Sequence, residues 1–233
     1  MIISREITIP SLSGDEPRRA WVYLPEDWDE EERRYPVLYM FEGQNVFFDE
    51  EATCGKSWGM ADFAEYTDLP VIVAAVESHR GANGERLSEY SPFTVREPGL
   101  GGYVVGRGRA TMEWLVHTFK PMIDAEVPTL PDREHTMIAG SSMDEVVYRN
   151  SPVHYLSNMP TDHPYIEKYN RNQGIICIGQ GAWEEVSTTR ILDTLFREKG
   201  IDVWVDYWGY DVNHDWPWWY KQAAYFIPKL LEN

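Results

Sequence analysis

Short apolar runs alternate with segments of helical periodicity along the chain. Apolar side chains recur at helical spacing in residues 110–127, 191–199 and 218–231. Strands are predicted where short runs are rich in β-branched and aromatic residues, at residues 7–10, 20–24, 37–41, 71–76, 136–139, 175–178 and 203–208. Short, continuously apolar strands separated by helices indicate a mostly parallel sheet with helices on both faces. The pattern therefore predicts the α/β class, in which functional residues follow the carboxyl ends of strands.

The interval 144–172 interrupts this alternation. It contains Pro152, Pro160 and Pro164 and many polar residues. Proline lacks the N–H group that the interiors of helices and strands require. We therefore expect a mostly irregular connection, with short helices at most and no strand of the sheet.

Composition and charge narrow the class of protein. The chain has 233 residues, of which 43% are hydrophobic, and we expect a single domain over residues 1–233. Its apolar runs are shorter than the roughly 18 to 20 residues that span a bilayer. The first residues lack the features of a signal peptide, so we expect a cytoplasmic protein. A net charge of -17 disfavours nucleic acid and membrane surfaces as partners. The sequence leaves the oligomeric state open, a homo-oligomer included.

The cysteines and histidines do not predict a metal site or a disulfide. Cys54 and Cys177 are the only cysteines, and they lie far apart in the sequence. Cys177 belongs to the apolar run 175–178, where a buried, unreactive thiol is expected. Because the histidines are scattered as well, we expect neither a metal nor another cofactor.

The strongest chemical signal is Gly140-Ser141-Ser142-Met143, which directly follows the predicted strand 136–139. A serine on a sharp turn between a strand and a helix, with small neighbours, is typical of a nucleophile elbow. Ser142 is therefore the candidate nucleophile. The last position of the Gly-x-Ser-x-Gly pattern is Asp144 instead of glycine, which adds a carboxylate beside the candidate site.

A serine hydroxyl needs a base that removes its proton and an acid that orients the base. His214 is the candidate base, because it follows the predicted strand 203–208 and comes after Ser142 in the chain. Glu184 is the first candidate for the acid, since it follows a strand and lies between the serine and the histidine. Glu185 and Asp211 remain open as alternatives.

Stabilisation of an oxyanion requires backbone N–H groups that point at the developing charge. Met143, the residue after the candidate nucleophile, supplies one such group. The turn Glu42-Gly43-Gln44-Asn45 follows the predicted strand 37–41 and is the candidate source of the second.

These motifs together resemble the esterase family of α/β-hydrolases, which includes S-formylglutathione hydrolases, feruloyl and siderophore esterases and mycolyltransferases. The resemblance covers nearly the whole chain and rests on the turn at 39–45, the elbow at 140–143, the acid loop at 181–184 and the His-x-Trp-x-x-Trp ending at 214–219. It implies an α/β-hydrolase-like three-layer sandwich and a triad of Ser142, Glu184 and His214. It also implies that the N–H groups of Gln44 and Met143 form the oxyanion hole.

The chain departs from the family pattern directly after the elbow. Family members continue with a second glycine or an alanine, a long helix, another strand and another helix before the acid loop. That material is not recognisable here, so we hypothesise an internal deletion or a splice of two relatives near residues 143–147, which leaves the sheet without one strand and helix. Two interpretations stay open: a serine carboxylic-ester hydrolase, and an α/β-hydrolase-like protein without esterase activity, such as a binding module.

Aromatic residues near these motifs are candidates for binding a small-molecule ester. Trp183 belongs to the acid loop, Trp216 follows the candidate base, and Tyr90 lies in segment 86–93, which resembles a loop at the edge of the family's pocket. The chain contains ten tryptophans, so stacking on sugars is a further interpretation. Packing of helices against the sheet is the alternative role for these indole rings.

Overall fold

The computed structural model describes residues 1–29, 33–81, 84–92, 94–97, 102–140 and 152–231. The chain divides into two compact units, Met1–Val146 and Val147–Asn233. None of the helices in the described ranges is long and apolar enough to cross a membrane.

The described part of the first unit contains fourteen elements in chain order. They are β1 (Ile2–Ile9), α1 (Pro10–Ser13), β2 (Gly14–Tyr23), β3 (Val37–Met40), a 3-10 turn (Gly43–Asn45), α2 (Met60–Tyr66), β4 (Ile72–Val76), α3 (Glu85–Tyr90), β5 (Val95–Glu97), β6 (Gly102–Val104), α4 (Gly108–Trp114), a π-helical turn (Leu115–Phe119), α5 (Lys120–Glu126) and β7 (Thr136–Ala139).

Five of these strands form a mixed sheet in the order β1-β2-β4-β3-β7. The β1–β2 and β2–β4 pairs are antiparallel, whereas β3 runs parallel to both β4 and β7. Every residue of β3 and β4 is buried, as expected for apolar strands in the middle of a sheet. The carboxyl ends of β3, β4 and β7 therefore lie at one edge, where the turn after β3 begins.

The helical segment from α4 to α5 supplies part of the core of the first unit. Trp114 stacks on Phe119 with ring centroids 5.1 Å apart, and Phe119 meets Tyr39 of β3 edge-on at 5.9 Å. Ile123 is fully buried in the same cluster. The predicted helix 110–127 is thus confirmed, with a π-helical turn inside it.

The second unit is built around a parallel pair of strands. Its described elements are α6 (Pro152–Asn158), α7 (Pro164–Asn170), β8 (Ile175–Ile178), α8 (Val186–Lys199), β9 (Trp204–Tyr207) and α9 (Trp216–Leu231). Helix α8 connects β8 to its parallel neighbour β9, the crossover that parallel strands require. Leu156, Leu195 and Ile201 are buried in a core shared by α6 and α8.

The connection before β8 is more regular than the sequence predicts. Residues 152–172 hold α6 and α7, two helices of seven residues each, and this described stretch contains no strand. Pro152 and Pro164 are the first residues of these helices, where the missing N–H group has no intrahelical partner to lose. The expectation of a mostly irregular connection is therefore wrong for this stretch. The expectation that it holds short helices and no strand agrees with the structure of residues 152–172.

Candidate active site

Glu184 and His214 lie in neighbouring loops of the second unit. Glu184 is in the loop that follows β8, and His214 is in the loop that follows β9. Because β8 and β9 are parallel neighbours, their carboxyl ends are at the same edge of the pair. The two loops therefore start side by side.

Hydrogen bonds join the two loops along their length. The Gly181 N–H donates to the Val212 carbonyl at 2.9 Å, and the His214 N–H donates to the Ala182 carbonyl at 3.0 Å. The Ala182 N–H donates to the Asn213 side-chain oxygen at 2.7 Å. A Cβ atom at position 181 would lie 2.2 Å from that oxygen, so this close approach requires glycine.

The side chains of Glu184 and His214 face each other across these loops. Nδ1 of His214 lies 3.4 Å from Oε2 of Glu184. The Glu184 side chain is 8% exposed and the His214 side chain is 36% exposed. The distance is within ion-pair range but longer than the roughly 2.7 to 3.2 Å of an N–H···O hydrogen bond. Trp219 packs edge-on against the His214 ring, with centroids 4.8 Å apart.

The other two candidate acids are used differently. Glu185 is the N-cap of α8, where the Ser187 hydroxyl and the Thr188 N–H donate to its carboxylate and hold its pKa below the usual range. Asp211 is exposed beside Gly209. All three candidates lie within described residues 152–231, and Glu184 is the one within ion-pair distance of His214.

Trp183 and Trp216 flank this pair in the sequence. Trp183 is 92% exposed and has a φ of +66°, a conformation that is uncommon and strained for a bulky residue. Trp216 packs against Trp219 at 4.9 Å, and Trp219 in turn contacts His214. Trp183 is thus next to Glu184 in the sequence, and Trp216 is linked to His214 through the ring of Trp219.

Two other tryptophans have the packing role that is the alternative for these residues. Trp204 and Trp208 contact Phe226 of α9, with centroids 5.1 Å and 6.1 Å apart. These rings join α9 to β9 and the residue that follows it. They are therefore part of helix-to-sheet packing.

Cys177 lies in β8, close to the candidate acid. Its burial, together with the charges of Asp206 and Glu184, raises the pKa of the thiol to about 11. The thiol is therefore protonated at neutral pH, and since the thiolate is the reactive form, Cys177 is a poor nucleophile.

The turn after β3 is held tightly against the sheet of the first unit. Glu42 has a φ of +59°, and Gly43 starts the 3-10 turn Gly43–Asn45. A Cβ atom at Gly43 would lie 2.8 Å from both the Trp21 ring and the backbone of Val76. The tight fit fixes the position of the residue that follows, Gln44.

Gln44 is anchored by Ser78, a residue that the sequence did not single out. The Gln44 side-chain NH₂ donates to the Ser78 hydroxyl at 2.9 Å, and the Ser78 N–H donates to the Gln44 side-chain oxygen at 3.1 Å. Both residues are buried. The backbone N–H of Gln44 has no acceptor among the residues that the structure describes. The signal for this pair was the position of Ser78 just after β4, the strand beside β3.

Tyr90 is the last residue of α3, so segment 86–93 begins as a helix and the expected loop is wrong for residues 86–90. Its ring packs against Phe41 with centroids 5.2 Å apart. Tyr90 also lines a pocket of about 440 Å³ that reaches Gly140, the residue after β7. Three predicted site residues, Ser142, Met143 and Asp144, lie outside the described residues.

Solved structures of esterases share the fold of this chain. A ferulic acid esterase is 16% identical, with a TM-score of 0.72 over 99% of this chain and 97% of the other. An S-formylglutathione hydrolase from Agrobacterium tumefaciens is 13% identical, with a TM-score of 0.63 over 100% and 95%. An IroE-like serine hydrolase from Shewanella oneidensis is 16% identical, with a TM-score of 0.64 over 97% and 78%. The fold is therefore that of α/β-hydrolase-type esterases.

The family of the chain follows from its sequence. The family described as "Putative esterase" matches residues 11–145, more than half of the chain. The chain belongs to this family, and the resemblance stated from its motifs is confirmed. Comparison with curated proteins finds no match.

Proposed function

We propose that this member of the esterase family is a serine carboxylic-ester hydrolase with a triad of Ser142, His214 and Glu184. The observation that carries the proposal is the 3.4 Å approach of the largely buried Glu184 carboxylate to Nδ1 of His214. A carboxylate in that position holds the imidazole in one orientation and stabilises its protonated form. This leaves Nε2 of His214 to exchange protons with the nucleophile and the leaving group.

The proposed reaction has two halves. In the first, the Ser142 hydroxyl attacks the ester carbonyl and passes its proton to Nε2 of His214. The tetrahedral intermediate then breaks its bond to the alcohol, which leaves with that proton, and an acyl-enzyme remains. In the second half, His214 deprotonates a water molecule that attacks the acyl group, and Ser142 regains its proton as the carboxylic acid leaves.

Backbone N–H groups of Gln44 and Met143 would stabilise the negative oxygen in both halves. The Gln44 N–H suits this role because two hydrogen bonds with Ser78 anchor its side chain and because no described residue accepts its hydrogen bond. We also assign Tyr90, Trp183 and Trp216 to contacts with the small-molecule ester. None of these roles requires a cofactor.

Partitioning of the products tests the acyl-enzyme. Nitrophenyl, phenyl and ethyl esters of one acid are hydrolysed in the presence of a fixed concentration of methanol. If all three pass through the same acyl-enzyme, the ratio of methyl ester to free acid is the same for each leaving group. A ratio that changes with the leaving group would contradict a common intermediate.

Asp144→Gly is expected to raise kcat for a nitrophenyl ester by at least about tenfold. Asp144 directly follows Met143 in the sequence, so if the Met143 N–H binds the oxyanion as proposed, the carboxylate adds negative charge that opposes the transition state. Asp144→Asn is the matched control, because it removes the charge and keeps the size of the side chain. Equal rates for all three proteins would contradict the electrostatic argument. Absence of hydrolysis in all three would favour the alternative, an α/β-hydrolase-like protein without esterase activity.

Ser78→Ala is expected to lower kcat by about tenfold and to leave KM nearly unchanged, because Gln44 loses the partner that fixes its turn. Gln44→Met removes the other half of the same pair. The double variant is expected to be no slower than the slower single variant, as residues that act through one interaction are not additive. Additive losses, or a change confined to KM, would count against this positioning role.

A further inference from the structure

The surface of the pocket beside Tyr90 is mainly apolar, although three charged side chains also line it. It lies in the first unit, where Phe41 follows β3 and Gly140 follows β7. Tyr90 and Pro92 form one part of its lining, and Met112 of α4 forms another. Burial raises the pKa of Tyr90, so its phenol stays uncharged at neutral pH.

The charged side chains that line this pocket are already paired. Glu42 forms an ion pair with Arg86. Glu89 forms an ion pair with Arg18 at 2.6 Å, and both of these side chains are at most 4% exposed. None of the described lining residues offers a free counter-ion, so a charged ligand group that entered the pocket would lose its water without one of them to compensate, which is unfavourable.

The pocket lies close to Ser142 along the chain, and its volume is suited to an acyl group larger than acetyl. Gly140 lines it, and Ser142 follows two residues later, so their Cα atoms are at most about 7 Å apart. At roughly 30 Å³ for each water-sized group, a volume of about 440 Å³ holds on the order of ten non-hydrogen atoms. This is much larger than an acetyl group.

We propose that this pocket binds the acyl part of the substrate and selects an uncharged, apolar acyl chain of medium length. The inference rests on the proposed ester hydrolysis and adds the substrate class to it. Acetyl esters leave the pocket largely empty, and acyl chains that end in a carboxylate bury a charge that finds no free partner among the described lining residues. Each buried CH₂ group favours binding by up to about fourfold, so medium chains gain most.

Chain-length selectivity tests the pocket directly. The ratio of kcat/KM for 4-nitrophenyl octanoate to that for the acetate is expected to be about ten or more. Met112→Trp fills the pocket and is expected to lower this ratio at least fivefold. Val116→Trp is the matched control, because Val116 is exposed on the same helical segment and does not line the pocket. An unchanged ratio in Met112→Trp would overturn the inference.

Charge selectivity is measured with two acyl chains of equal length. Mono-(4-nitrophenyl) adipate carries a terminal carboxylate that 4-nitrophenyl hexanoate lacks. Its kcat/KM is expected to be at least about tenfold lower. Equal values for the two esters would contradict a pocket that excludes charge.

Binding without catalysis separates this inference from the proposed function. N-methyloctanamide, an uncharged analogue that is not an ester, is titrated into protein with ¹³C-labelled methionine methyl groups. The Met112 resonance, assigned with Met112→Leu, is expected to shift with saturation, whereas N-methylacetamide at the same concentration leaves it in place. A shift without any ester hydrolysis would reject the esterase and keep the apolar site. Hydrolysis without a shift would reject the site and keep the esterase.

Discussion

Ser142→Ala is expected to reduce the rate of ester hydrolysis by at least about a thousandfold. In the proposed triad this variant lacks the nucleophile, and the remaining groups of a triad accelerate hydrolysis only weakly when one member is removed. The rate is measured with 4-nitrophenyl butyrate near neutral pH, on wild-type and variant protein prepared in the same way.

Ser141→Ala is the matched control, since Ser141 precedes Ser142 in the same elbow motif. This variant is expected to retain activity within about tenfold of the wild type. A large loss in Ser141→Ala with normal activity in Ser142→Ala would identify Ser141 as the nucleophile and contradict the proposed triad.

Glu184→Gln is expected to lower kcat by about a hundredfold to ten-thousandfold. The amide keeps the shape of the side chain, but it removes the charge 3.4 Å from Nδ1 of His214. In the proposed triad, that charge stabilises the imidazolium in the transition state. A steady-state measurement of kcat and KM separates this loss from a loss of substrate binding.

Glu185→Gln provides the comparison at the neighbouring residue. Glu185 caps α8, and its side chain is hydrogen-bonded to Ser187 and Thr188. Because an exposed cap acts on the helix and not on the imidazole, kcat is expected to stay within about threefold of the wild type. A large loss in Glu185→Gln with a small loss in Glu184→Gln would move the acid to Glu185.

Short apolar strands were the part of the fold that the sequence predicted best. The strands 136–139 and 175–178 have the predicted boundaries, because each is a short run flanked by glycine or polar residues. β1 and β2 are longer than the predicted runs. β1 mixes partly buried and exposed residues, the first four residues of β2 are exposed, and both strands carry charged side chains. The hairpin of β5 and β6 was missed because each strand has three residues and no apolar pattern.

Short helices were harder to predict for a different reason. α6 and α7 begin at Pro152 and Pro164, and a proline at the first helical position has the same sequence signal as a proline that ends a helix. α3 contains one apolar turn at most, so helical periodicity does not distinguish it from a loop.

For the candidate site, motifs predicted individual residues, whereas contacts that depend on packing could not be predicted from the sequence. Glu184 and His214 were predicted from their positions after strands, and the structure brings them together. The partnership of Gln44 with Ser78 depends on the neighbouring positions of β3 and β4 in the sheet, which no single motif encodes. The pocket beside Tyr90 likewise depends on how α3 and α4 pack, and so it could not be read from the sequence.

Covalent labelling with a fluorophosphonate tests most directly whether Ser142 is an activated nucleophile. In the expected reaction the Ser142 oxygen bonds to phosphorus, fluoride leaves, and His214 takes the proton. Peptide mass mapping should find one phosphonyl group per chain on Ser142, and His214→Asn should slow its formation by at least about a hundredfold. Labelling at another residue, equal labelling rates in His214→Asn, or no labelling of Ser142 would contradict the proposed serine hydrolase.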